Sequence, residues 1–405
     1  MQCDDFANYL NKMAAKGWHF KEWGVGLQFE KGEPKNTTYA VEVFTEATEE
    51  DVKPEKNTKE FAEYCEAAGW KLIDAKRKFC VFEKIREDAV DILTPEERVN
   101  NAYKGTMSPL FLITLVVYGM VAALRWATLA IGFSDDIFSS FDLFFLAFWN
   151  LFFLQRLYHM VNAICKRRCF LKDVADGKEL YIGTRDRGQI KFSIDTISLF
   201  LFTSFVVWNL WSYGMLGAVS ILLLALMLLL GFKITVNKVR PKRETHRAVS
   251  IIFAVLFIIS VLGFSITFLI AHEIKRTPRK LPLYVSDYRE NEGNEEEAYG
   301  FLDTSIFGSK RSCKVPTGAD SLYYQVYRTD YDWILDKIWE KQKSEGMNKS
   351  TTDVSGEWEA LEAYRNNAGD YYVKYEDAIL VFEENTDVIL SLEQIHIIRD
   401  KLDLR

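Results

Sequence analysis

The chain has 405 residues, 49% of them apolar, with 50 Lys or Arg against 57 Asp or Glu and a net charge of -7. That balance excludes a generally basic nucleic-acid binder, a disordered tail, a coiled-coil rod and a disulfide-rich scaffold. The mean hydropathy of -0.08 resembles that of a soluble protein. It averages over a strong segregation, because Thr196 to Phe232 is 37 residues without a charged side chain and Ala248 to Ala271 is another 24.

Met1 to Leu10 contains Asp4 and Asp5 and lacks the apolar core of a secretory signal, so the amino terminus is expected to stay in the cytosol. From Asp4 onward Phe6, Leu10, Met13 and Ala14 recur at helical spacing, and Gly17 supplies a C-terminal cap before Trp18 opens extended structure. A second stripe, Phe61, Tyr64, Cys65 and Ala68, ends in Gly69 and Trp70. Two short strand-like runs follow each Gly-Trp, closing on Phe29-Glu30-Lys31 in one copy and on Phe82-Glu83-Lys84 in the other. Thr38 to Val43 alternates between the copies. The pattern predicts a duplicated αββ unit over residues 1–95, an α+β domain with helices on one face of a small antiparallel sheet. Gly17 and Gly69 are read as helix terminators. Trp18 and Trp70, with Phe29 and Phe82, are read as residues filling equivalent core positions. Cys65 and Cys80 lie 15 apart with no C-x-x-C partner and read as buried thiols.

Met13-Ala14-Ala15-Lys16-Gly17-Trp18-His19-Phe20, then Phe29-Glu30-Lys31-Gly32-Glu33-Pro34, then Ala67-Ala68-Gly69-Trp70 resemble the domain of unknown function numbered 2812. The resemblance covers roughly residues 1 to 90. It implies a bacterial membrane protein, chiefly of Gram-positive organisms, with a link to regulated envelope responses, and it transfers no catalytic residue, ligand or cofactor.

Residues 96–107 read as a linker, and 108–272 as the membrane region. A span needs about 20 apolar residues to cross a hydrocarbon core of roughly 30 Å. Five segments qualify: Ser108 to Ile131, about Phe138 to Met160, Ile194 to Trp211, Leu216 to Phe232, and Ala248 to Ala271. The expected fold is therefore an α-helical transmembrane bundle of five spans between two α+β domains. Eight Lys or Arg between Cys165 and Phe192 and six between Lys233 and Arg247 mark both segments as cytoplasmic under the positive-inside rule. This places the amino-terminal domain in the cytoplasm and the carboxy terminus outside a multi-pass chain in the cell membrane. Arg125 and Asp142 lie at equal depth on adjacent antiparallel spans and are predicted to form an intramembrane ion pair. Arg156 and His159 are expected to snorkel to headgroups, and Asn150 and Asn209 to bond across helices.

Residues 281–405 carry 26 Asp or Glu against 14 Lys or Arg and are expected to form an acidic extracytoplasmic α+β domain. Its predicted elements are a strand at Ser321 to Tyr327, a helix from Tyr331 to about Lys343, a helix at Glu357 to Asn366, a hairpin from Tyr371 to Phe382, and a last helix capped by Ser391 with Gln394. Cys313 is placed in a polar loop, and Tyr323, Tyr324, Tyr327, Tyr331 and Tyr371 in the core. No catalytic constellation, metal cluster or cofactor motif is read anywhere in the chain. The function this favours is a non-enzymatic sensor or regulatory binding protein coupling the outer domain to the inner one. Its expected partners are the bilayer and a cytosolic regulator or another membrane protein, with no nucleic acid. A small-molecule transporter, or an accessory subunit of a transport complex with Arg125 and Asp142 on its pathway, is the alternative.

Overall fold

The computed structural model describes residues 3–48, 50–183, 204, 227, 230–232, 234–253, 255–256, 281–289, 297–317, 320–346, 351–383 and 389–404. The chain forms two units, residues 1–119 with 151–269 and residues 120–150 with 270–405.

In the first unit, α1 (Cys3–Ala14) buries Cys3, Ala7, Leu10 and Ala14 along one stripe. Gly17 follows with a φ of 81°, and a Cβ there would sit 2.7 Å from the Gly32 carbonyl. β1 (Trp18–Trp23) and β2 (Leu27–Lys31) pair antiparallel as a two-stranded sheet. A second sheet has the order β3-β5-β4, built from β3 (Tyr39–Val43), β4 (Trp70–Lys76) and β5 (Phe79–Lys84). Helix α2 (Lys56–Ala67) precedes β4, with Gly69 at a φ of 94° between them.

Strand alternation divides the side chains of the three-stranded sheet. Tyr39, Val41, Val43 and Val81 join α1 and α3 (Pro95–Thr106) in one core, whereas Trp70, Ala75, Cys80 and Phe82 join Cys65 and Phe61 of α2 in another. Helices therefore cover both faces of the sheet, in place of the single face expected. Residues 96–107 are helical where a linker was expected: Thr94 and Glu97 form a capping box, Val99 and Ala102 are buried, and Gly105 lets α3 approach Val43. The two tryptophans are not equivalent. Trp70 is 8% exposed and donates its indole N–H to the Val90 carbonyl at 2.7 Å, whereas Trp18, at the end of the two-stranded ladder, is 40% exposed. Phe82 is fully buried beneath Phe61, while Phe29 is half-buried beside Phe20 and Tyr9.

The five-span bundle is corrected. Among the described residues a single helix, α4 (Pro109–Ile131), is long and apolar enough to cross a membrane. The segment expected as a second span is part of a 36-residue helix, α6 (Ser140–Ala175), in which Asp142, Asn150, Gln155 and Arg156 dilute the apolar run. That helix continues through Lys166, Arg167, Arg168 and Lys172, where a loop was expected, and Phe170, Leu171 and Val174 pack against the α1 core. The predicted spans Ile194 to Trp211, Leu216 to Phe232 and Ala248 to Ala271 lie largely outside the described residues, as does Asn209. Residues 234–239 and 243–253 are helical.

In the second unit, seven antiparallel strands run in the order β6-β7-β8-β12-β11-β10-β9. They are β6 (Tyr299–Ser305), β7 (Gly308–Thr317), β8 (Asp320–Arg328), β9 (Thr351–Asp353), β10 (Glu362–Asn366), β11 (Tyr371–Lys374) and β12 (Ala378–Glu383). On one face Ile379, Val381 and Tyr372 meet Ile334, Ile338 and Trp339 of α7 (Asp332–Gly346), together with Phe133 of the short helix α5 (Phe133–Asp136) and Phe138 beyond it. On the other, Leu380, Phe382 and Val373 meet Trp358 of the short helix α8 (Ser355–Trp358) and Ile395 and Ile398 of α9 (Leu392–Leu402).

The helix expected at Glu357 to Asn366 is replaced by α8 and strand β10, because Glu359 adopts a left-handed φ of 44° and Ala363 then pairs with Val373. Cys313 is buried in β7, opposite Tyr324 on β8, and not in a polar loop. Tyr324, Tyr327 and Tyr371 are core residues, while Tyr331 is 44% exposed.

Gly69 carries a sharp backbone demand, since a Cβ there would fall 2.7 Å from Ala89 Cβ in addition to the left-handed φ. Gly69→Ala is expected to cost about 1–3 kcal/mol in thermal unfolding. Gly177→Ala, at a φ of 69° with nothing within 4 Å, should cost visibly less.

Candidate functional site

Among the described residues of the first unit, Arg240 is the most densely bonded charge. Its Nη1 and Nη2 donate to the two carboxylate oxygens of Asp74 at 2.8 and 2.9 Å, a bidentate geometry. Nη2 also donates to the Ala75 carbonyl at 2.9 Å, Nε to the Val52 carbonyl at 2.8 Å, and Glu22 lies 3.3 Å from Nη1. Asp74 is buried and accepts a further bond from the Trp23 amide at 2.7 Å. Both contributing strands depart from regular register next to these carboxylates, β1 between Phe20 and Glu22 and β4 between Leu72 and Asp74. Such bulges re-aim side chains. Arg240 itself holds a φ of 48°, a conformation unusual for a residue with a Cβ. Arg247 reinforces the contact by donating to Glu50 at 2.9 Å. The sequence reading placed Arg240 only among six basic residues. The one local signal was Pro241, which disfavours helix at the residue before it.

A second, half-buried cation, Arg98 of α3, lies 2.8 Å from Asp4 of α1 and 2.8 Å from Glu42 of β3. Burial pushes the Glu42 carboxyl up to about 7, with Arg98 opposing the shift. Burial also pushes the thiols of Cys3, Cys65 and Cys80 up to about 12, which leaves them protonated and unreactive at neutral pH.

Along α4, the structure brings Arg125 and Asp142 together, Arg125 Nη2 donating to Asp142 Oδ1 at 2.5 Å. Trp126 donates to Asn150 at 3.2 Å, and Asn150 bonds back to the Leu146 carbonyl at 2.7 Å. Arg156 stacks over the rings of Phe111 and Tyr118, at 5.7 and 5.9 Å, and Phe153 lies against Gly119. These contacts order α4 and α6 as antiparallel neighbours. Arg156 is thus held by aromatic faces. Among the described residues no three His, Cys, Asp or Glu side chains come together as a metal site.

Residues 2–115 match the family model described as Protein of unknown function (DUF2812). The chain carries a DUF2812 domain at its amino end. The match runs through α3 to the first turns of α4, so the helix read from sequence as a linker is part of the DUF2812 domain. Trp70, Phe82, Gly17 and Gly69 shape the packing of this domain. No curated protein and no solved structure matches the chain.

Removing one charge of the α4–α6 pair strands the other in an apolar setting. Arg125→Leu is expected to lower stability in detergent by up to about 3 kcal/mol, and Arg125→Leu with Asp142→Leu to return to within about 1 kcal/mol of the parent, measured by thermal unfolding. The folded DUF2812 domain holds a proton on Glu42 up to about pH 7, whereas the unfolded chain loses it near 4.5. Its stability should therefore fall as pH rises through that window, by no more than about 1.4 kcal/mol per pH unit, and Glu42→Gln should flatten the slope in denaturant titrations.

Proposed function

We propose that this protein is a membrane-anchored, non-enzymatic coupling protein, with the DUF2812 domain in the cytoplasm and the acidic carboxy-terminal domain on the outer side. The observation that carries the reading is how α4 is held. The helix spans about 35 Å at 1.5 Å per residue, enough for a hydrocarbon core of roughly 30 Å. Just before it, Ala102 and Gly105 of α3 are packed into the DUF2812 domain. Just after it, Phe133, Ile137 and Phe138 are built into the core of the carboxy-terminal domain.

The orientation is supported by charge. Lys166, Arg167, Arg168, Lys172, Arg240, Arg243 and Arg247 all belong to the first unit, to which α6 returns the chain alongside α4, as the positive-inside rule asks of a cytoplasmic face. In this reading an outer ligand or protein biases the carboxy-terminal domain between two states, and a cytosolic partner of the DUF2812 domain reads the difference. Coupling of this kind is typically worth about 1–3 kcal/mol. The paired state of Arg125 and Asp142 favours a structural role for them over a conduction pathway.

Glu376, in the exposed β11–β12 turn, and Glu63, exposed on α2, are suitable reporters, whereas the native Cys65 and Cys313 are buried. A membrane-impermeant maleimide added to intact cells is expected to label Glu376→Cys and to spare Glu63→Cys until the cells are opened. Labelling of Glu63→Cys alone, or of both in intact cells, would refute the arrangement.

A further inference from the structure

The first unit holds an open-sided cavity of about 800 Å³, within the size range of small-molecule sites. Its walls are apolar: Phe6 of α1, Val41 and Val43 of β3, Val52, and Phe232 and Val236 of the helical residues that lead to Arg240. Its polar lining is one-sided. Lys76 and Arg77, at the β4–β5 turn, contribute cationic side chains, and none of the lining residues is Asp or Glu. Two further lining residues, Trp23 and His246, carry buried ring nitrogens, Nε1 and Nδ1, without a hydrogen-bond partner among the described residues. An indole N–H can only donate, and leaving such a group buried and unpaired costs about 1–3 kcal/mol.

We propose that this cavity binds a single-chain amphiphile with a carboxylate head, a long-chain fatty acid. Its chain would lie between Phe6, Val43 and Val236, and its head would accept from Trp23 and His246 beside Lys76 and Arg77. Of the remaining polar lining, Asn237 already accepts from Lys76 at 2.8 Å, which leaves few acceptors for the hydroxyls of a sugar or a nucleoside, and the absence of Asp and Glu from the lining disfavours a cation. Access from lipid is at hand, because Thr106 lines the cavity and α4 begins at Pro109, three residues later. The site itself is built from residues of the first unit and does not need the coupling role, while its access route rests on the proposed placement of α4 in lipid.

The test uses the full chain in phosphatidylcholine nanodiscs with a diazirine-bearing hexadecanoic acid as probe. Irradiation is expected to attach the probe to β3 and to residues 232–236, as read by peptide mass spectrometry. Excess unlabelled hexadecanoic acid should reduce that attachment at least tenfold, and methyl hexadecanoate should leave it unchanged. Val236→Trp, which fills the cavity, should lose it. Attachment confined to lipid-facing residues of α4, attachment indifferent to the free acid, or equal competition by the methyl ester would each overturn the assignment. Those arms use the unmodified chain and so hold whether or not Val236→Trp folds.

Discussion

The structure turns on the uncovered apolar surface of α4. Leu110, Ile113, Val116, Met120 and Leu124 are all more than half exposed on a helix with no acidic or basic residue before Arg125. Water would charge roughly 25 cal/mol for each Å² of that surface, whereas hydrocarbon does not. A helix is also one of the few backbone forms that satisfies its own N–H and C=O groups in lipid. Beyond each end of this apolar run the chain must again find partners for its polar backbone. It does so in α3 at one end and in α5 at the other, both of which are packed into folded cores.

Buried ions hold the DUF2812 unit in register. Asp74 is taken out of water and compensated by a two-pronged guanidinium contact from a residue 166 positions away. Arg98 draws together α1, β3 and α3 through Asp4 and Glu42. Such pairs add little net stability over an apolar substitute, since desolvation offsets most of the attraction. Losing one partner is costly, and this makes alternative arrangements of the elements unfavourable. The basic segment around Arg240 thereby becomes an integral part of the unit through its contacts with the bulged edges of β1 and β4.

The carboxy-terminal unit works by different means. Its sheet is antiparallel throughout, and strand alternation sends Ile379 and Val381 toward α7 while Leu380 and Phe382 go toward α9. Buried tyrosines serve both cores and backbone. The Tyr324 hydroxyl donates to the Leu283 carbonyl at 3.1 Å and that of Tyr375 to the Trp358 carbonyl at 3.2 Å, so each fills space and satisfies a loop. Cys313 sits within this packing, and burial raises its thiol above the ordinary range.

Features with a local physical cause were legible from sequence. Gly17 and Gly69 end helices because their positive φ suits a residue without a Cβ, and the Ser391–Gln394 capping box closes on itself through bonds at 3.3 and 2.8 Å. The strand at Ser321, the hairpin turning at Glu376 and Asp377, and the apolar run of α4 likewise declare themselves by period and turn chemistry. What only the tertiary structure decided is where each element finds cover. Trp18 and Trp70 follow identical glycines, yet only Trp70 has the segment at Val90 folded over it. Residues 355–366 hold a helix-like composition that a left-handed Glu359 and a partner strand divide into α8 and β10. Arg240 becomes a clamp only when the chain returns it to Asp74, because an ion pair across 166 residues depends on closure of the whole unit and leaves no mark on its neighbours in sequence.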